Sequence, residues 1–371
     1  MPANKSTKKI RYAVVGLGHI AQVAVLPAFA HAARNSVLTA LVSNDPEKLR
    51  QLSRRYRVKQ TYSYEQYDDC LRSGEIDAVY IALPNNMHAE YSIQAANAGV
   101  HVLCEKPMAV TERECLSMIR AARKNRVKLM IAYRLHFEEA NLKAVEIVKS
   151  GKLGEPRIFN SLFGLQVKAG NIRTKTDLGG GTLYDLGVYC INAARYLFQN
   201  EPLAAFAYSA AGHDRRFKEI DEMTAAVLRF PQDRIASFTT SFGAADVASY
   251  EIVGTKGILR VDPAYEYAMP LKHYLTIDGK TTTRTFPRRD QFAPELLYFS
   301  DCIIKNIEPE PSGEDGLQDV RVVRALYRAA DTGRPVKLPP VRLQKRPTLK
   351  QEKQRPPVSK PRLIKAQSAS A

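Results

Sequence analysis

The sequence predicts an α/β protein in two parts: an N-terminal doubly wound parallel sheet, then an α+β domain on a large, open, mostly antiparallel or mixed sheet. Three observations carry this reading. A chain of 371 residues exceeds one compact core and suits two. Residues 11–135 alternate short apolar runs with longer stretches of helical period, the rhythm of parallel strands joined by crossover helices. After residue 136 that rhythm gives way to one helix and a series of strand-like runs.

The strands expected in the first domain are RYAVVGL (11–17), SVLTALVS (36–43), DAVYIAL (77–83), HVLCEK (101–106) and KLMIAY (128–133). Between them QVAVLPAFAHAA, PEKLRQLSRRY, HAEYSIQAANAG and TERECLSMIRAARKN repeat apolar residues at helical spacing. The second domain, 136–338, opens with the helix EEANLKAVEIVKSG. It continues with PRIFNSLFGLQV, EMTAAVLRF, IASFTTSFGA, ASYEIVGTKGILRVD and YLTIDG as strands. Within it, the stretch after Gly179-Gly180-Gly181 reads as a helix with an apolar stripe of Leu183, Leu186, Cys190, Ala194 and Leu197. A separate polar stripe of Asp185, Tyr189, Asn192 and Tyr196 reads, on pattern alone, as a solvated face.

The formal charge of +17 is concentrated at the ends. From Gly333 onward there are eleven Lys and Arg against one acid, and Lys5, Lys8, Lys9 and Arg11 add four more, which leaves the body near +3. Residues 1–10 are therefore a basic tail. Residues 339–371, rich in Pro, Lys, Arg, Gln and Ser, are expected to be disordered: a solubilising appendage, or an arm that binds polyanions loosely. The body's small excess argues against nucleic acid as a partner. No apolar run reaches eighteen residues and no charged-then-apolar leader opens the sequence, so neither a membrane span nor an export signal is expected. Five cysteines without metal or redox spacing fit reduced thiols in a cytoplasm, and no His, Cys and carboxylate set has metal spacing.

Gly16-Leu17-Gly18-His19-Ile20-Ala21 closes the first strand and opens the first helix, the context of a dinucleotide-binding Rossmann turn. Its glycines let the backbone approach a pyrophosphate, which the helix N-terminus attracts. The second strand ends in Val42-Ser43-Asn44, followed by Lys48, Arg54 and Arg55. A hydroxyl and cations there suit the extra phosphate of NADP over NAD. Asp45 is one of the few acids near enough to take the NAD role. The fourth of these strands ends in Cys104-Glu105-Lys106-Pro107, at the edge where open α/β sheets place ligands. Lys106 there lies beside a nicotinamide, or is an exposed strand-end lysine.

The segments VVGLGHIA (14–21), ALPNNMHAEY (82–91), CEKPMAV (104–110), AYRLHFEE (132–139) and GGGTLYDLGVYCINAARYLF (179–198) together resemble the Gfo/Idh/MocA oxidoreductases over roughly residues 9–338. The resemblance is strongest to the glucose–fructose and aldose–aldose oxidoreductase branch. It implies that Lys106 and Tyr189 flank the reacting carbon of a sugar, that Asp185 holds sugar hydroxyls, and that Pro84, Asn85, His88, Glu105 and Arg134 contact the cofactor. It also implies a cis Lys106-Pro107 bond and a dimer through the outer face of the second-domain sheet. Glucose–fructose oxidoreductases carry an export signal and a long N-terminal arm over the cofactor. This chain reaches its first strand in ten residues, which argues against an irreversibly held NADP and a tetramer of that type and favours a cytoplasmic enzyme.

Hydride transfer between a sugar C–OH and a nicotinamide needs a proton to leave or join the oxygen. A lysine ammonium within about 5 Å of a tyrosine favours its phenolate, so Tyr189 with Lys106 makes chemical sense as an acid–base unit, with Asp185 fixing the ring. His88 is read as packing by the cofactor, and His136 as either a pocket residue or a structural one. Arg173, with Lys168 and Lys175 on the same loop, either reaches substrate or is simply solvated. The expected function is thus an NADP-dependent sugar oxidoreductase for an aldose or related polyol, with or without coupling to reduction of a second sugar. Its rival is a non-catalytic NADP or sugar sensor on the same fold.

Overall fold

The computed structural model describes residues 8–341 and 346–370. Among them, six strands form one parallel sheet: β1 (Ile10–Val15), β2 (Ser36–Val42), β3 (Gln60–Tyr62), β4 (Ala78–Ile81), β5 (His101–Glu105) and β6 (Leu129–Ala132). Their spatial order is β3-β2-β1-β4-β5-β6, so the winding reverses between β1 and β4 and leaves a crevice at the carboxyl ends of those strands. The five expected strands all appear. The sixth, β3, is an edge strand of three residues, too short to show a periodic pattern.

Nine more strands make the second sheet: β7 (Pro156–Gly164), β8 (Ala204–Ala210), β9 (Met223–Arg229), β10 (Ile235–Ser241), β11 (Val247–Gly254), β12 (Gly257–Val261), β13 (Leu271–Ile277), β14 (Lys280–Phe286) and β15 (Val336–Lys337). The order is β14-β13-β12-β11-β7-β10-β9-β8-β15, with β7 and β10 parallel and the other pairs antiparallel. Strict alternation along β9 sends Thr224, Ala226 and Leu228 inward and Met223, Val227 and Arg229 outward. The inner face packs on the helix Val188–Phe198 through Phe159, Phe238, Cys190 and Leu197. The outer face leaves Ile158, Leu162, Val227 and Ile235 exposed. Among the described residues, no helix is long and apolar enough to cross a membrane.

Two sequence expectations need correction. The helix Phe292–Lys305 lies within the range assigned to the second domain but packs in the first-domain core. Phe292, Leu296 and Phe299 join β1 there, and Tyr12 Oη lies 2.8 Å from Ser300 Oγ. Its apolar face matches the layer over β1, so space and sequence part company.

The tail is the second. Its described part, residues 346–370, is not a loose appendage: Ile364 is 5% exposed and Gln351 7%. Arg346 pairs with Glu201 at 2.7 Å, and Arg355 Nε donates to the His31 carbonyl at 3.1 Å. Composition suggested disorder because this segment has little apolar surface of its own; it is held instead by hydrogen bonds to surfaces that both domains already present. The basic N-terminal tail falls mostly on residues 1–7, outside the described residues.

Candidate active site

The crevice over β1 and β4 continues into the second domain as one cavity of about 950 Å³. At its dinucleotide end, Gly16 (φ +91°) turns the chain away from β1, and a Cβ there would lie 2.5 Å from the Ala82 carbonyl oxygen. Only glycine allows this approach. A Cβ on Gly18 would meet nothing within 4 Å, so the turn presents open space in front of the helix that follows. A backbone cradle of this kind fits a pyrophosphate. Ser43 and Lys48 line the cavity farther out. Asp45 does not: its carboxylate accepts from the Glu47 and Lys48 backbone N–H groups as a helix N-cap, and Lys365 Nζ stands 3.6 Å away. With that acid occupied and a hydroxyl and ammonium on the wall, the donor set fits NADP better than NAD.

At the other end, β5 delivers Lys106 through a cis Lys106-Pro107 bond. The chain after Gly179-Gly180-Gly181 enters a widened helical turn, Leu183–Gly187, before the regular helix Val188–Phe198. Such turns are often found at functional sites. Close approach explains Gly180: a Cβ there would sit 2.4 Å from the Arg173 carbonyl oxygen. Asp185 and Tyr189 project from this widened turn and the start of the regular helix into the cavity.

Lys106 Nζ donates to the Asp185 carbonyl at 2.9 Å and lies 3.5 Å from Asp185 Oδ1. Arg173 Nε donates to Asp185 Oδ2 at 2.6 Å. Partial burial pushes the Asp185 carboxyl up, but the charges of Arg173 and Lys106 outweigh it and hold the group below its usual range. The same ammonium lies 4.3 Å from the Tyr189 ring centroid, and Arg134 Nη2 donates to Tyr189 Oη at 3.3 Å. The arrangement therefore surrounds one phenol oxygen and one carboxylate with three cations. It can hold hydroxyls and exchange a proton at a defined point.

The structure brings fifteen of the residues the sequence points to into this one cavity: Gly16, Gly18, His19, Ile20, Ser43, Lys48, Pro84, Asn85, His88, Glu105, Lys106, Arg134, Arg173, Asp185 and Tyr189. Their situations differ. Asn85 Nδ2 donates to the Gly179 carbonyl at 2.8 Å, tying the first domain to the triple-glycine loop. The ring nitrogens of His88 lie 2.8 and 2.9 Å from the Pro107 and Leu83 carbonyls, so His88 clamps the ends of β4 and β5. His136 stays outside the cavity, buried between Glu310 at 2.8 Å and Asn192 at 2.7 Å. Lys175 turns away to Glu219 at 2.5 Å.

The polar stripe is split, and its expected solvation is wrong for half of it. Asn192 and Tyr196 are buried, Tyr196 Oη donating to Asn141 at 3.1 Å. Two residues at the site, and one buried behind it, had no signal or an unread one. Gln291 and Tyr265 hold the Arg134 guanidinium, and both come from loops without a motif. Glu295 was readable as the single acid in FAPELLYF. Neither of its oxygens has a hydrogen-bond partner among the described residues, and burial, then the charge of Glu105, push it well above the usual carboxylate range.

Residues 10–133 match the model described as the oxidoreductase family with an NAD-binding Rossmann fold, and residues 141–260 match the GFO/IDH/MocA C-terminal domain. The chain is 32% identical to a D-xylose 1-dehydrogenase [NADP(+)] of Haloarcula marismortui, over 89% of this chain and 93% of that protein. The crystal structure of aldose-aldose oxidoreductase from Caulobacter crescentus complexed with glycerol is similar at a TM-score of 0.85 and 38% identity, over 89% of this chain and 100% of that one. A 3-ketoreductase from Actinomadura kijaniata, solved with NADP and TDP-benzene, matches at a TM-score of 0.79 and 27% identity, over 87% and 98% of the two chains.

Proposed function

This chain belongs to the GFO/IDH/MocA oxidoreductase family, and from that membership we propose that it transfers hydride between a sugar hydroxyl carbon and NADP. It is an NADP-dependent sugar oxidoreductase, in keeping with relatives that oxidise xylose or act on aldoses. The observation that carries the finer reading is the convergence of Lys106, Tyr189 and Asp185 at the end of a cavity whose other end is the Gly16–Ile20 turn.

Gly16, Gly18, His19 and Ile20 would hold the pyrophosphate. Ser43 and Lys48 would hold the 2′-phosphate, and Pro84, Asn85, His88, Glu105 and Arg134 would hold the nicotinamide half. When bound, NADP supplies the hydride acceptor or donor. Asp185, kept charged by Arg173, accepts bonds from two sugar hydroxyls and orients the ring. Tyr189 takes the proton from the reacting hydroxyl in oxidation and returns it in reduction, while Lys106 and Arg134 stabilise the negative charge on its oxygen. Lys106 also donates to the substrate oxygen. A second copy of the chain would pack on the exposed apolar face of the second sheet, a reading that size-exclusion behaviour of Val227→Arg tests.

The test is a panel of aldoses, ketoses and inositols added to the protein with NADP⁺, followed by NADPH fluorescence. One or more aldoses should give reduction that Lys106→Met and Tyr189→Phe abolish. Reduction that survives both substitutions refutes the mechanism. No reduction with any sugar, together with retained sugar binding, favours the sensor reading.

A further inference from the structure

The strap 346–370 does more than cover surface. Val358, Lys360, Leu363, Ser368, Ala369 and Ser370 line the same cavity as Gly16, Gly18, Ser43 and Lys48. Its firmest tie is to Gln22, fully buried in the helical segment that follows the glycine turn. The Gln22 side-chain amide donates to the Ile364 carbonyl at 2.9 Å and accepts the Ile364 N–H at 2.8 Å, pairing the strap as a neighbouring strand would. Past this point the strap crosses to the second domain, where the Lys168 N–H donates to the Ala369 carbonyl at 2.9 Å. Both walls of the cleft are thereby bridged by one piece of chain.

Charge follows the same course. Lys360 lines the cavity with Gly16, Gly18 and His19, and burial first, then the charges of Arg173 and Lys360, lower the His19 imidazole. Lys365 pairs with Asp45 and removes a carboxylate that would repel a phosphate beside Ser43 and Lys48.

We propose that residues 358–370 are part of the dinucleotide site, a latch that retains NADP through successive turnovers, with Lys360 facing its phosphates and Lys365 neutralising Asp45. The proposal rests on the NADP reading above. A dinucleotide held under this strap leaves only while the strap is detached, so its release rate scales with the open fraction. Retention of this kind lets one sugar reduce the cofactor and a second sugar reoxidise it without exchange.

The experiment loads the full chain with NADPH, chases with excess NADP⁺ and follows the loss of protein-bound NADPH fluorescence. Ile364→Glu and a deletion of residues 358–371 both alter chain that follows the two domains, and should release NADPH at least tenfold faster than the full chain. Lys365→Gln should lower the preference for NADPH over NADH at least threefold. Release within twofold of the full chain in both strap variants overturns the latch while leaving the NADP reading intact. An unchanged NADPH to NADH ratio overturns the role of Lys365. A full chain that binds no NADPH overturns the latch and the NADP reading together.

Discussion

Arg173 Nε and Asp185 Oδ2 are 2.6 Å apart, and this pair joins a loop residue to the helical turn that faces the cavity. It keeps a carboxylate charged where sugar hydroxyls are expected. Arg173→Met should raise the sugar KM about 10- to 100-fold, the loss expected when charge-assisted hydrogen bonding weakens. The pH dependence follows from the depressed Asp185 group. Its contribution is present above its ordinary value near 3.8 and is lost only as pH falls through the lower folded value. KM in the parent protein should stay level from neutral pH to about pH 4, and in Arg173→Met it should begin to rise at higher pH.

Tyr189→Phe keeps the ring that Lys106 contacts at 4.3 Å and removes only the oxygen that Arg134 reaches. The expected result is a fall in kcat of about 10²- to 10⁴-fold, the usual loss for a missing acid–base group. NADPH affinity, measured by fluorescence titration, should stay within about threefold. An equal loss in binding would make Tyr189 a packing residue.

Gly16 and Gly18 separate fold from ligand. Alanine at Gly16 places Cβ 2.5 Å from the Ala82 carbonyl oxygen at φ +91°, and should destabilise the protein by about 1–3 kcal/mol. Alanine at Gly18 meets no protein atom within 4 Å and should leave Tm within about 2 °C. It should weaken NADPH binding at least tenfold, because the methyl group fills the space in front of the helix. Thermal melts with and without NADPH distinguish the two effects.

His136 gives a stability signature near neutral pH. Burial lowers this imidazole, but Glu310 at 2.8 Å outweighs burial and raises it above its ordinary 6.5. Its contribution is therefore full below 6.5 and fades as pH rises through the folded value. Asp315, pushed up to about 6 by burial and by Glu310, loses its share earlier, between 3.8 and about 6. The urea midpoint should fall from pH 6.5 upward, and His136→Gln should flatten that slope. A slope that persists in the variant assigns it to other groups.

Local chemistry was the readable part of this molecule. The Gly16–Ile20 turn announces itself because backbone geometry there demands glycine at fixed positions, whereas Lys106 at the β5 end stood open until the resemblance gave it a role. Periodicity found the helix carrying Asp185 and Tyr189 but could not separate that pair from Asn192 and Tyr196. A cavity wall and a buried hydrogen-bond network place polar residues at the same helical spacing. The helix Phe292–Lys305 was not among the expected elements, and nothing local says that its partner is β1, some 280 residues earlier in the chain. The strap was misread because composition measures what a segment can bury by itself. Ile364 is instead ordered by Gln22, and that complement is visible only after folding.

The strap also joins distant parts of the sequence at the cavity. Ile364 returns to Gln22 across 342 positions of chain, and Ala369 meets Lys168. The wall beside the glycine turn is therefore built from residues that no local stretch of sequence brings together.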